Sequence, residues 1–526
     1  MKHLKCLLFG LVGLGLIFSL IFCIREEQSP YPTVSAPDPA LEASILAKQT
    51  KIIPAEWQGH LLLDGLSAPY ADGKYYLPLN AKDLNALLPR LSWSEKGYTV
   101  LFSQDEGFGD LPQAMSENHT FHLLVSDGRS YFQQRVILTG LPVLSLEKND
   151  VLSYKTGTTA REDSSALMHL HGVDGVSLES IVTFRLRGGS SRRYPKHPYR
   201  MTLYNAQHQQ YSLPLLGMRT SENWVLLPMY TDYSRMRDKV SLNLWNQIAE
   251  TNPEHDIKGS SMEYIELLVD GVYQGIYGLV TPMDAVQCGV AGDVNARLFQ
   301  IYEYILPEIR DTYPQDRQAL AASIENKYPG TVDSWDEMYR YYEAVLQSET
   351  IDPMEAEAIV DLGSLIDYSL FVNFLSANDN LLKNINFVWT DLDGSGYRFY
   401  MVPWDLNYTF GHNHDSNKAL RTTFYPELSE DECFPAPYYL IVENNNEYRR
   451  DYINRYVALR KSVLTEESLL SAFHNHRDLL ESSGAFLRES ARWPESKPSI
   501  DLAEIEYFVT ERLRILDSLY LGQEVD

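Results

Sequence analysis

Two carboxylates and two amides in this chain have the types and spacing that phosphate chemistry asks for. In "NDNLLKNINFVWTDLDGSGYRFYMVPWDLN", Asp379 is followed five residues later by Asn384, and Asp405 stands two residues before Asn407. A carboxylate within hydrogen-bond reach of a hydroxyl can accept its proton in the transition state. Hard cations such as Mg²⁺ take oxygen ligands, and Asn384, Asp405 and Asn407 offer them. A plainer assignment stands beside this one: Asp379 caps a loop, Asp405 sits in a turn, and Trp389 and Trp404 pack a core. A third use of Asp379 and Asp405 is as the acid and base of a glycoside hydrolase. That use requires carboxyls roughly 5 to 9.5 Å apart across an open sugar groove.

A second constellation is basic. "RLRGGSSRRYPKHPYRM" sets Gly188, Gly189, Ser190 and Ser191 among Arg187, Arg192, Arg193, Lys196 and Arg200 in an otherwise acidic chain. A glycine-containing turn that presents N–H donors among cations can cradle phosphate. An ordinary hairpin with a solvated basic tip has the same composition. In "YTDYSRMRDK", Ser234 is a helix-capping type and Arg237 falls one turn further on, as a structural ion pair or a phosphate contact. His412 and His414 read as surface residues. The acidic stretch matches the layout in which a protein kinase places an Asp to receive the acceptor's proton, an Asn five positions on for metal, and a later Asp for metal.

These groups need elements to carry them. "INFVW" and "RFYMVPW" are two short apolar strands, and their bare polar groups converge if the strands pair. "MEYIELLVDGVYQGIYGLV" alternates about Asp270-Gly271, a two-residue hairpin turn. Residues 296 to 375 carry apolar recurrence at helical spacing, a helix is expected from near Ser234, and 435 to 521 is again helical and charged. Strands first, helices later and one late β insertion predict an α+β bilobal body over 141–526. A small β-rich module is expected over 51–140, and the proline-bearing 25–50 reads as a stalk.

Composition narrows the partners. The 526 residues include 45 Lys and Arg against 71 Asp and Glu, a formal charge of −26. Such a surface repels nucleic acid and suits basic proteins or metal ions. Lys2 and Lys5 precede an uncharged apolar run from Cys6 to Ile24, near the roughly 20 residues that span a bilayer. The expectation is an uncleaved signal-anchor over 1–24 with the remaining chain on the extracytoplasmic side. A cleaved signal peptide and a lipoprotein at Cys23 are the alternatives. Cys288 and Cys433 are far apart, and pairing or simple burial fits both.

The segments "FRLRGGSSRRYPKHPYRMTL", "NWVLLPMYTDYSRMRDKVS", "YIELLVDGVYQGIYGLV", "NDNLLKNINFVW" and "VPWDLNYTFG" occur in the order found in the spore-coat protein H (CotH) kinase family, which the chain resembles from Phe184 to Gly411. The resemblance implies an atypical protein-kinase-like fold, ATP with Mg²⁺ or Mn²⁺, and a protein Ser/Thr substrate, with a basic one suiting this surface. It implies Arg187 and Lys196 as phosphate-binding cations and the Gly188–Ser191 turn near the nucleotide. It makes Asp379 the catalytic residue and Asn384 and Asp405 metal ligands, with Asn386 on the same face as Asn384. Two departures are visible. Asn407 replaces a second acid, and Thr281 stands where relatives carry a Glu that would orient the lysine. Both favour a catalytically silent pseudokinase acting as a surface adhesion or scaffold protein, a reading that the 35 tyrosines also suit.

Overall fold

The structure is a computed structural model that describes residues 31–53, 60–80, 84–103, 110–149, 163–252, 256–330, 335–346, 352–377, 379–412 and 446–521. The 1–24 signal-anchor, Cys433 and His414 lie outside these residues. Among the described residues no helix is long and apolar enough to cross a membrane.

The first described part, up to about Thr139, is a seven-stranded mixed sheet with a three-stranded companion around its own core, which includes Tyr75, Trp93, Phe121 and Phe132. Residues 31–51 differ from the expected stalk, because they fold onto this module. Val34–Ser35 pairs in parallel with the strand Thr99–Phe102, and Thr50–Lys51 with Ser130–Thr139. Between them Pro39–Lys48 is a helix whose Asp38 accepts from the N–H groups of Ala40 and Leu41. Proline at the first helical position costs no hydrogen bond, so Asp38-Pro39 starts a helix here.

A closed barrel follows. Its strands are β1 (Val143–Lys148), β2 (Ser164–His171), β3 (Ser177–Leu186), β4 (Tyr199–Tyr204), β5 (Asn223–Leu227), β6 (Met262–Val269) and β7 (Val272–Val280). They run in the order β1-β2-β3-β4-β5-β7-β6, and a parallel β6–β1 pairing closes the ring. Alternation fills the interior with Leu146, Met168, Phe184, Met201, Trp224, Leu267 and Tyr277. The β6–β7 turn is as expected, with Asp270 and Gly271 both at positive φ (48° and 72°). That is the geometry a two-residue hairpin turn needs.

Helix α1 (Arg237–Glu250) then leads into a mixed α+β body. Among the described residues, 296–375 is mostly helical as expected, but it also carries two strands that the helical spacing does not foresee. Arg297–Ile301 (β8) and Ile324–Tyr328 (β9) are strands of a four-stranded antiparallel sheet, in the order β9-β8-β10-β11 with Ile385–Thr390 (β10) and Arg398–Pro403 (β11). Each of these two strands is only five residues long, too short for alternation to stand out from the helices beside it. Helices α2 (Leu362–Leu375), α3 (Asp379–Leu382), α4 (Asn446–Arg460), α5 (Glu466–Ser482), α6 (Ala485–Arg492) and α7 (Ala503–Tyr520) complete the body. One large core joins the sheet, these helices and the outer face of the barrel.

Candidate active site

The strand pair β10–β11 brings its polar residues to one end. Ile385 pairs with Pro403, so Asn384 and Trp404 leave the sheet side by side, and Trp404 N donates to Asn384 O at 3.0 Å. Asn380 ties this end together, because its Nδ2 donates to Trp404 O at 2.8 Å and Asn384 O at 3.3 Å. Asn384 and Asp405 both take left-handed backbone, with φ of 58° and 61°. Asn and Asp accept that conformation better than other side chains, so the backbone and the chemistry select the same residue types. Asn386, one pleat further on, is fully buried and donates to Val402 O, so it serves the sheet.

Helix α1 holds the segment after Asp405 from beneath. Asp238 accepts from Leu406 N at 3.0 Å, Arg237 Nε donates to Thr409 O at 3.0 Å, and the Ser241 and Thr409 hydroxyls bond at 3.0 Å. Arg237 is buried on Asp232 (2.6 Å) and on the Tyr233 ring, the structural ion pair among the two expected roles. Capping of α1 falls to Asp232, whose Oδ2 accepts from Met236 N and Arg237 N, with Ser234 assisting. Burial raises Asp238 well above the ordinary carboxyl range, and the charges of Asp405 and Asp232 add to this. Its second oxygen is buried without a hydrogen-bond partner.

Asp379 and Asp405 lie within electrostatic reach of each other. Asp379 is half-buried, with the Tyr304 hydroxyl donating to Oδ1 at 3.1 Å and Lys383 Nζ 3.4 Å from Oδ2. Asp405 is exposed to solvent, yet the protein crowded around it raises its carboxyl above the usual range. Arg187 opposes that rise, while the charge of Asp379 adds to it.

The basic loop approaches the Asp405 end of the strand pair through Arg187. It spans Arg187 to Pro198, closed by Arg187 N donating to Pro198 O, with a 3-10 turn over Ser190–Arg193. The loop is therefore longer than the tight turn expected from Gly188-Gly189. Gly188 needs its freedom, since it has φ of 83° and an added Cβ would lie 2.3 Å from Ser191 Oγ. The Arg187 guanidinium lies 5.3 Å over the Trp404 ring and acts electrostatically on Asp405. Trp404 thus stacks with Arg187 as well as packing against the core. Tyr194 hydrogen-bonds with Tyr408 and lies 5.2 Å from the Tyr230 ring. Ser191 is half-buried, Gly189 is exposed, and Arg192 and Arg193 are exposed on the loop's outer face.

Lys196 turns the other way. It is fully buried, with Nζ donating to Glu489 Oε1 at 2.7 Å and Ile276 O at 2.6 Å, and it lies 4.8 Å from the Tyr277 ring centroid. Burial pushes its pKa down to about 7, and the Glu489 carboxylate opposes that fall. Glu489 also accepts from Arg235 Nε (2.9 Å) and Ile276 N (2.8 Å). The cause is an edge left open by the barrel. β5 pairs with β7 only from Gly278 to Val280, so the earlier residues of β7 have no strand opposite them there. Side chains supply the missing partners: Arg492 donates to Tyr273 O, Trp493 to Gln274 O, Lys196 to Ile276 O, and Glu489 accepts from Ile276 N.

The carboxylate on the lysine therefore comes from α6, and the expectation drawn from Thr281 is corrected. Thr281 is buried and accepts from Ser261 N at 2.8 Å. Gly275 makes room for the carboxylate, since a Cβ there, at φ of 91°, would lie 2.1 Å from Glu489 Oε2. Gly275→Ala is expected to cost about 2–3 kcal/mol. A urea-unfolding midpoint no lower than that of the parent would contradict this account of the glycine.

The oxygen atoms at this end of the strand pair are of the type a hard cation takes. Asp405 is accessible, and the Asn384 side chain makes no hydrogen bond to a described residue. Asn407 spends its Nδ2 on Thr231 Oγ1 at 2.8 Å, which leaves its amide oxygen free to ligate. Among the described residues no three His, Cys, Asp or Glu side chains gather as a metal site. A bound Mg²⁺ or Mn²⁺ would thus depend on amides, phosphate oxygens and water beside one or two carboxylates, its usual company in nucleotide sites. His412, expected at the surface, is half-buried and stacks on Tyr408 at 5.4 Å. Cys288 is buried and free. The sequence reading missed Glu489, Arg235, Asp238 and Tyr304. Of these, Arg235 and Asp238 lay inside a segment already singled out, "YTDYSRMRDK", and Glu489 and Tyr304 lay outside every such segment.

The profile of the CotH kinase protein family matches residues 184–516, from the third barrel strand to the last helix. No curated protein matches the chain.

Proposed function

The chain belongs to the CotH kinase family, and from that premise we propose that it transfers the γ-phosphate of ATP to Ser or Thr hydroxyls of a basic protein. The apposition of Arg187 to Trp404 and Asp405, with Asp379 within electrostatic reach of Asp405, carries the reading. Phosphoryl transfer needs positioning and charge neutralisation more than covalent help from the protein. Asp379 would accept the acceptor's proton. Asp405, Asn384 and Asn407 would hold Mg²⁺ or Mn²⁺, which neutralises charge on the phosphates when bound. Arg187 and the N–H groups from Gly188 to Ser191 would orient the phosphates. Lys196, held beneath the loop by Glu489, positions the loop in this arrangement. The barrel and the helical body would be the two lobes of an atypical kinase, and the apolar 6–24 run would hold it on the outer side of a membrane.

Of the two departures that favoured a silent scaffold, Thr281 loses its weight, because Glu489 provides the lysine's carboxylate from elsewhere. A glycoside hydrolase leaves the basic loop over the site without a purpose. The deciding experiment incubates the full chain with labelled ATP, Mn²⁺ or Mg²⁺ and a basic Ser-rich acceptor. Metal-dependent label on the acceptor is the expected result. Metal-dependent ATP binding without transfer would leave a pseudokinase.

A further inference from the structure

Tyr304 lies outside every motif discussed above, in the short connection between Ile301 and Pro307 that links β8 to the next helix. Its hydroxyl donates to Asp379 Oδ1 at 3.1 Å. Lys383 Nζ, 3.4 Å from the other carboxylate oxygen, lies 4.6 Å from the Tyr304 ring centroid. In this arrangement both oxygens of the proposed base are engaged. A hydroxyl that donates to the base is the arrangement an acceptor must reach before transfer. We propose that Tyr304 is a placeholder in the acceptor position, which keeps water off Asp379 until a protein hydroxyl displaces the phenol.

The setting suits a group that gives way. Tyr304 is half-buried, and its neighbours Tyr302, Glu303 and Leu306 are exposed. The backbone around it is held by Ser323 Oγ donating to Tyr304 O at 2.7 Å, by Tyr302 N donating to Ser323 O at 3.0 Å and by the burial of Ile305 in the core. The phenol can leave Asp379 by side-chain rotation while these bonds persist. Burial and the Asp379 charge both hold the hydroxyl protonated, so it remains a donor. The inference rests on the reading of Asp379 as the base. What it adds is selectivity for a protein hydroxyl over water. In the suppressed side reaction, water attacks the γ-phosphorus, the bond to the ADP oxygen breaks, and Asp379 takes the water's proton.

Tyr304→Phe keeps the ring against Lys383 and removes only the donor. It is expected to raise ATP hydrolysis without acceptor about tenfold, the scale of one hydrogen bond to a charged group. The ratio of hydrolysis to transfer onto a Ser/Lys-repeat peptide should rise with it, and adding Asp379→Ala should erase the gain. If hydrolysis falls or stays level in Tyr304→Phe while the parent still transfers phosphate, Tyr304 merely orients Asp379 and the inference is overturned. Tyr304→Ala, checked by its melting curve, provides a second reading of the same ratio. Should the parent neither hydrolyse ATP nor transfer phosphate, the kinase reading falls first and takes this inference with it.

Discussion

Asp379→Ala will cut phosphate transfer about a thousandfold and spare nucleotide binding, whereas Asp405→Ala will abolish metal-dependent binding itself. The first figure is the usual worth of a positioned general base. Asp379 supports no buried network: its partners are the half-buried Tyr304 and Lys383, so its removal should leave the fold intact. Asp405 differs, because its charge is the one set against Arg187, and in the proposed site it would be the main metal ligand. Single-turnover transfer measured beside calorimetric titration of nucleotide with Mn²⁺ separates the two roles. Equal loss of binding in both variants would defeat the division of labour.

The second large effect is on stability. Glu489→Ala is expected to destabilise the protein by about 3–5 kcal/mol, because it strands two buried cations at once. Lys196, Arg235 and Glu489 have no exposed surface, and the carboxylate also satisfies Ile276 N. Glu489→Gln keeps the shape and should still cost much of this, since the amide cannot balance both charges. Adding Lys196→Met to Glu489→Gln should recover part of the loss, because the uncompensated ammonium goes with the lysine. Denaturant unfolding of the four proteins checks the cycle. A loss below about 1 kcal/mol for Glu489→Ala would show that the triad contributes little.

How much of this was legible beforehand depended on the distance over which residues cooperate. The Asp270-Gly271 hairpin and the convergence of Asn384 with the Asp405 end of its partner strand follow from local alternation, and both are present. Closure of the barrel depends on a parallel pairing between strands more than a hundred residues apart, for which no local pattern exists. The partner of Lys196 was sought nearby, at Thr281, because a family spacing pointed there. Glu489 sits in "AFLRESAR", where a glutamate between arginines reads as a solvated helix face. Only the open edge of β7 gives it a reason to be buried, and that edge exists only once the barrel has formed. Asp38-Pro39 misled in the opposite sense: proline suggested a linker where it begins a helix.

The long reach of the Lys196–Glu489 pair also sets an order in time. The two residues are 293 positions apart. At ~5–20 residues per second, Lys196 leaves the ribosome ~15–60 s before Glu489. Through that interval the nascent chain carries a lysine at an unfinished strand edge and lacks its counter-charge. The glycine loop above Lys196 gains its support only as the chain nears completion, so a truncated product ending before α6 would hold that loop without the pair that steadies it.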